Sequence, residues 1–358
     1  MRKAYTILLI FLAATLCAAL LTGCLPNRSR EMPDGLVGGA EANPVRPIYK
    51  EVERTFGFEG VIGEYAQQQH LLDGVMGNLY DGERARPDLE CPHLLPRVRE
   101  TYQNAIGILN YYITNDMTAV ERVRVIYAYL VSRVRYDFLL FDYNLSGGRI
   151  DTRHDSFTLI GVFVNSRAVC QGISRAVDLM CAIEGIESTE VLGSFWDLRH
   201  NIWVTHTWNK INIGGANSDR WYNVDATAGA VTAFINGREI TLFSHAYLLV
   251  SDYSITNNEF GRHSFTHTPG SPQNPPTPDG DYDLRALIPQ IFIDSLDELL
   301  AFFDTVARSR RRLGRFELRL NFAHTSADTD AAFARVRDRE ISRYYRKINN
   351  HYIFLVYT

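Results

Sequence analysis

Val169-Cys170-Gln171-Gly172-Ile173 is the stretch from which the rest of the chain can be ordered. A cysteine opens a run in which Ile173, Ala176, Val177, Met180 and Cys181 recur at i, i+3, i+4, i+7 and i+8. That spacing makes one apolar face of a helix, and Gly185 is its expected stop. Cys170 then lies in the first turn, where unpaired N–H groups and the helix dipole favour negative charge. Such a setting lowers a thiol pKa and populates the thiolate, the nucleophilic form.

A thiolate needs a base, and the base needs an orienting group. Val204-Thr205-His206-Thr207-Trp208-Asn209 and Trp221-Tyr222-Asn223-Val224-Asp225-Ala226-Thr227 are rich in β-branched and aromatic residues and read as strands. Gly214 to Asp219, between them, is a turn by composition. Pairing Ile213 with Arg220 sets Asp225 opposite Trp208. His206 and Asp225 then share a face as diagonal neighbours, about 7–8 Å apart at the backbone. A slip of one residue would put them on opposite faces.

The order Cys170-Gln171-Gly172, then His206-Thr207-Trp208-Asn209, then Trp221-Tyr222-Asn223-Val224-Asp225-Ala226-Thr227 resembles the transglutaminase-like superfamily, relatives of the papain-like thiol enzymes. The resemblance runs from Val123 to Asp252, about a third of the chain by ordinary domain size. It implies Cys170 as nucleophile, His206 as base and acid, and Asp225 as orienter of the imidazole. Related sequences commonly carry glycine before the histidine, where this chain has Thr205. Gln171 and Trp208 are candidate walls of the cleft, with Trp208 also shielding the His206–Asp225 contact from water. The fold this implies is α+β. A Cys-bearing helix packs on an antiparallel sheet bearing His and Asp, with a helical N-terminal part and a small α/β C-terminal domain. The activity it implies is acyl transfer from, or hydrolysis of, an amide through a thioester, with no cofactor and no metal. The alternative from another class is an inactive surface lipoprotein that binds envelope polymer or protein through the same domain.

At 358 residues the chain is long enough for about two domains. Its 46% hydrophobic and 22% charged content is that of an ordinary globular protein. A net charge of −4 and a pI of 6.2 argue against a nucleic-acid partner. Arg2 and Lys3 precede an apolar run from Ala4 to Leu21, which closes on Leu21-Thr22-Gly23-Cys24. This reads as an export signal whose end resembles a bacterial lipobox, with Cys24 the lipid attachment site. A plain transmembrane anchor is the alternative. The expected location is the extracytoplasmic face of a membrane, lipid-anchored, with peptides or proteins of the envelope as substrate. Cys170 and Cys181 lie eleven positions apart on one helix, about 16 Å, too far for a disulfide. Cys91 carries no reading.

The expected organisation is a signal over 1–23, a tether over 24–47, and a helical subdomain over 48–115. A catalytic domain over 116–265, a Pro-rich linker over 266–280 and a small α/β domain over 281–358 follow. Val98, Tyr102, Ile106, Leu109 and Tyr112 make a helical face, and Thr118-Ala119-Val120-Glu121 a capping box for the next helix. Phe138 to Ser166 is read as a long connection bordering the cleft, with His154 a rival base. Asp137 is read as a capping or exposed residue rather than a catalytic acid. Ser188 to Leu192 is read as a strand, and Gly193 to His200 as the loop after it. His200 and His206 could pair on a metal, but no third ligand has suitable spacing. Ala246 to Asp252 is expected as a strand. In the C-terminal part, strands are expected at Ala286 to Ile293, Phe316 to Phe322 and Tyr352 to Tyr357, and helices after Ser295 and over Ala331 to Lys347. Arg308, Arg310, Arg311, Arg312 and Arg315 mark either a contact for anionic polymers or a solvated helix end.

Overall fold

The computed structural model describes residues 95–149, 154–197, 200–215, 219–235, 238–257, 261–308, 314–336, 347–348 and 352–357. The readings on Cys24, Cys91, the signal, the tether, Arg310 to Arg312 and most of 48–115 fall outside them. Among the described residues no helix is long and apolar enough to cross a membrane.

Two helices lead in, α1 (Leu95–Tyr112) and α2 (Ala119–Arg133). The capping box closes as its sequence requires. Thr118 Oγ1 accepts from Glu121 N–H at 3.3 Å, and Glu121 Oε2 accepts from Thr118 N–H at 2.7 Å. Val120, Val123, Tyr127, Leu130 and Val131 bury the inner face of α2. The chain then extends as β1 (Arg135–Tyr136).

The stretch from Phe138 to Ser166 is not the open connection expected. It holds α3 (Phe138–Leu145), a 3₁₀ turn at Asp155–Phe157, and α4 (Leu159–Phe163). Asp137 caps α3 through Leu140 N–H, and Thr158 caps α4 through Ile160 N–H. Both helices lack an amphipathic period, which hides them in sequence. No residue of α3 is buried, whereas every residue of α4 is. After α4, β2 (Arg167–Ala168) pairs in parallel with β1, and Tyr136 lies against Ala168.

Next comes α5 (Cys170–Ile183), with Ile173, Ala176, Val177, Met180 and Cys181 all buried, as their spacing predicts. Gly172 is required by packing, because a Cβ there would lie 2.7 Å from the Ser156 carbonyl oxygen. The helix ends in a Schellman turn. Gly185 stands at φ +69°, Ile186 N–H reaches Cys181 O at 2.8 Å, and Gly185 N–H reaches Ala182 O at 3.1 Å.

Against α5 lies an antiparallel five-stranded sheet. It contains β3 (Glu187–Asp197), β4 (Ile202–Asn212) and β5 (Trp221–Val224). The β6 (Ala230–Ile235) and β7 (Arg238–Phe243) hairpin stands apart, and β8 (Leu248–Val250), a short α6 (Asp252–Thr256) and β9 (His263–Phe265) follow. The sheet order is β8-β5-β4-β3-β9. Asn212 pairs with Trp221, and Ile213 N–H meets Arg220 O, which is the register inferred from the turn. Strand β3 runs through Gly193 to Asp197, so the expected loop after Leu192 is strand instead. Gly193 marks a close approach: a Cβ there would sit 2.0 Å from Ser264 O and 2.7 Å from the Trp208 ring. The strand expected over Ala246 to Asp252 shrinks to three residues, since Leu249 takes φ +54° and Ser251 caps α6. Residues 266–280 are irregular and fastened to the sheet. Lys210 Nζ donates to Pro275 O, and Asp252 N–H to Thr277 Oγ1.

The C-terminal elements are β10 (Phe292–Ile293), α7 (Leu296–Arg308), β11 (Gly314–Leu320), α8 (Ser326–Ala334), β12 (Lys347–Ile348) and β13 (Tyr352–Tyr357). They form a mixed sheet in the order β10-β11-β13-β12. The strand expected over Ala286 to Ile293 is reduced to Phe292–Ile293, with 3₁₀ turn at Pro289–Ile291 before it, and Pro289 withholds a ladder donor there. Helix α8 starts earlier than expected, because Thr325 and Asp328 form a capping box; of the rest of the expected helix, 337–346 lie outside the described residues and Lys347 opens β12. Leu299, Phe303 and Val306 of α7 bury against Leu318, Leu320 and Phe333. Glu317 of β11 accepts the His245 backbone N–H on both oxygens, at 2.9 and 3.0 Å, and His245 Nδ1 at 2.7 Å.

Candidate active site

Three elements converge. Cys170 is the first residue of α5, His206 lies in β4, and Asp225 follows β5 directly. His206 Nε2 donates to Asp225 Oδ2 at 2.7 Å, so Nδ1 is the nitrogen left for the thiol. Both partners are buried, His206 at 5% and Asp225 at 1% exposure. Asp225 is held from its other side as well. Oδ1 accepts the backbone N–H groups of Thr227 at 2.9 Å and Ala228 at 3.0 Å, and its own N–H donates to Tyr247 O at 2.9 Å.

The electrostatics follow from burial and from these contacts. Burial raises the Cys170 thiol, but the hydrogen bond with His206, its charge and the Thr207 backbone N–H outweigh that and leave the thiol below its ordinary value. Burial lowers His206, yet the charge and hydrogen bond of Asp225, aided by Cys170, carry it up to about 10. Burial likewise raises Asp225, and the two histidines on it overcome this and hold it well below the usual carboxylate range. These directions favour a thiolate beside an imidazolium at neutral pH.

The second of those histidines is one that sequence reasoning missed. His263 Nε2 lies 2.8 Å from the same Asp225 Oδ2, and its Nδ1 lies 3.0 Å from Gly261 O. It sits on a three-residue edge strand just before the proline-rich stretch, where no periodicity announces it. Its one sequence signal is a histidine in a short β-prone run. One atom each of His206, Asp225 and His263 lie within 4.8 Å of one another, a spacing a metal ion could bridge. The hydrogen bonds account for the arrangement without one.

The remaining sequence candidates fall as follows. Trp208 is buried, its ring stacked on His206 at 6.0 Å and 18°, with Nε1 donating to Asn223 Oδ1 at 2.9 Å. Gln171 is half-buried in the first turn of α5, its carbonyl accepting from Ser174 Oγ. Thr205 takes the exposed face of β4, opposite to His206. His200 is separate from the site, since it lies before β4 and bonds Asp197 at 2.5 Å. His154 is spent as a cap, its Nδ1 accepting from Ser156 N–H. Asp137 is a cap too, but a buried one, and takes Ser156 Oγ–H at 2.6 Å. Tyr136 was overlooked as a neighbour of the thiol. Burial raises its hydroxyl pKa, and the charges of Cys170, Asp197 and Asp225 raise it further.

Residues 107–226, which carry Cys170, His206 and Asp225, match the family model described as the transglutaminase-like superfamily. The segment is transglutaminase-like. A solved structure described as "Crystal structure of a TGase" shares 13% identity with the chain at a TM-score of 0.31. The overlap covers 50% of this chain and 39% of that one, so the chain spans well under half of that structure's length. No curated protein matches the chain. The transglutaminase-like segment ends just past Asp225, so His263 and the C-terminal sheet lie beyond it.

Proposed function

We propose that this chain is a thiol enzyme acting on amide bonds through a thioacyl intermediate. The observation that carries the reading is a single imidazole, His206, whose Nε2 bonds a buried carboxylate and whose other nitrogen is left for a first-turn cysteine, Cys170, the thiol pKa of which it lowers. In this reading the Cys170 thiolate attacks the amide carbonyl and the C–N bond breaks. His206 gives its proton to the leaving amine and later takes one from the acceptor. Asp225 holds the ring and its charge and stays ionised throughout. An amine acceptor yields a crosslink and water yields hydrolysis; the same three residues serve both. The Cys170 backbone N–H is one donor for the oxyanion. We further assign Cys24 as a lipid attachment site, which would hold the enzyme at the extracytoplasmic face of a membrane among envelope peptides and proteins.

The test is the alkylation rate of Cys170 by iodoacetamide against pH, with His206→Ala beside it. The reading requires fast alkylation at neutral pH, with an apparent thiol pKa well under the free value of about 8.5, and a marked loss in the variant. A thiol that reacts only near its free pKa, or equally in both proteins, would refute it.

A further inference from the structure

The His206–Asp225 contact is one half of a symmetrical arrangement. Oδ2 of Asp225 faces two imidazole Nε2 atoms, at 2.7 Å from His206 and 2.8 Å from His263. Oδ1 faces two backbone N–H groups. The carboxylate therefore has four hydrogen-bond partners, two on each oxygen, which fills its accepting capacity. His263 cannot swing away from this role. It is 2% exposed and boxed by the rings of Trp208 at 4.9 Å, Phe195 at 5.2 Å and Tyr247 at 5.9 Å. Gly193 lets β9 and Trp208 close on this point.

Proton counting decides what His263 does. Both atoms that face it, Asp225 Oδ2 and Gly261 O, are acceptors. Burial and the charge on His206 lower its pKa more than Asp225 raises it, so the ring is neutral at pH 7 and carries one N–H. That proton goes to the ionised carboxylate, the stronger acceptor. Every donor on an oxygen draws charge from it and weakens its hold on the others. The other titratable groups around the cluster are Cys170 and His206, with Tyr136, Tyr247 and Asp197 at its margin.

We propose that His263 is a positioning residue for the reaction of Cys170: by donating Nε2–H to Asp225 Oδ2, it shares that oxygen with His206 and limits how tightly Asp225 retains the His206 proton. An imidazole that must hand its proton to a leaving amine serves best when its grip is moderated. His263 supplies that moderation from outside the transglutaminase-like segment. The inference rests on the function proposed above.

The experiment uses the full chain and the same alkylation profile, which shows a second inflection where His206 loses its proton. His263→Phe keeps a ring and removes the donor; His263→Gln restores an N–H near the same place. In the Phe variant the second inflection moves up by about one pH unit, the size expected for one lost hydrogen bond to a charged group. The Gln variant stays near the parent value. An unmoved inflection in a Phe variant that melts like the parent overturns the proposal, as does a Gln variant that behaves like Phe. Should the Phe variant not fold, ring-nitrogen NMR of the unmutated chain decides: a proton on His263 Nε2 supports the assignment, and a bare Nε2 overturns it. The two readings fail separately. An unactivated Cys170 in the parent refutes the enzyme, whereas an activated Cys170 indifferent to His263 refutes this inference alone.

Discussion

Asp225→Asn is the substitution whose outcome the site's geometry fixes most tightly. Four donors converge on the carboxylate: His206 Nε2, His263 Nε2, Thr227 N–H and Ala228 N–H. An asparagine presents one oxygen and one NH2 group, so it can serve only one pair. The backbone donors cannot change, so the oxygen turns to them and the NH2 faces the imidazoles. His206 must then accept on Nε2 and carry its proton on Nδ1, the nitrogen facing Cys170. The charge is lost as well. His206 is held at about 10 against an ordinary value of 6.5, a difference of roughly 3.5 units or ~5 kcal/mol of preference for the imidazolium. Asp225 supplies the largest favourable share, against burial. Without it, burial prevails and the ring is neutral at pH 7. Cys170 then loses its cationic partner, and burial raises the thiol. The assay is iodoacetamide alkylation from pH 5 to 10, checked by thiolate absorbance. The rate at pH 7 should fall by at least about tenfold, and the thiol inflection should rise past the free value of about 8.5. A variant that folds and keeps the parent's inflection would refute the reasoning, because the charge on His206 would then come from elsewhere.

Two further substitutions probe the frame around the site. Asp178 is a buried residue of α5, the Cys170 helix itself, where burial raises its carboxyl to about 7 despite hydrogen bonds from Ser188 and Asn209. Its folded pKa exceeds the unfolded 3.8, so its contribution is full below that value and is lost as pH rises through about 7. Urea titrations should find Asp178→Asn more stable than the parent at pH 8, by up to ~4 kcal/mol, and not at pH 4; equal differences at both pH values would contradict this. Gly193→Ala would set a Cβ 2.0 Å from the Ser264 carbonyl, which is backbone and cannot turn aside. A loss of about 1–3 kcal/mol in the same titrations is expected, as for other overpacked sites, and an unchanged midpoint would show that β9 yields freely.

The parts of the site that sequence disclosed are those written in local periodicity. The apolar stripe from Ile173 to Cys181 and the Gly185 stop define α5 by themselves. The turn between Ile213 and Arg220 sets the register, and the register alone places His206 and Asp225 on one face. His263 was hidden for the opposite reason. It joins Asp225 from 38 residues away, through a pairing of β9 with β3 that no local pattern encodes. Gly193 and Gly172 were likewise opaque. Gly193 reads as a loop signal, yet it is an approach point for a distant carbonyl and an indole ring. Helices α3 and α4 failed the periodicity test because one buries nothing and the other buries everything.

The clasp between Glu317 and His245 has a bearing on how the protein is made. It joins residues 72 positions apart, two residues before the Tyr247 carbonyl that takes the Asp225 N–H. Closing a loop of that length costs on the order of 4 kcal/mol of chain entropy. The segment behind Asp225 is therefore braced only after β11 has been synthesised and docked. Until then a growing chain carries its cysteine and histidine on elements whose carboxylate support is incomplete. Contacts of such separation form slowly, so the support behind Cys170 would mature late, only after Glu317 has left the ribosome and β11 has docked.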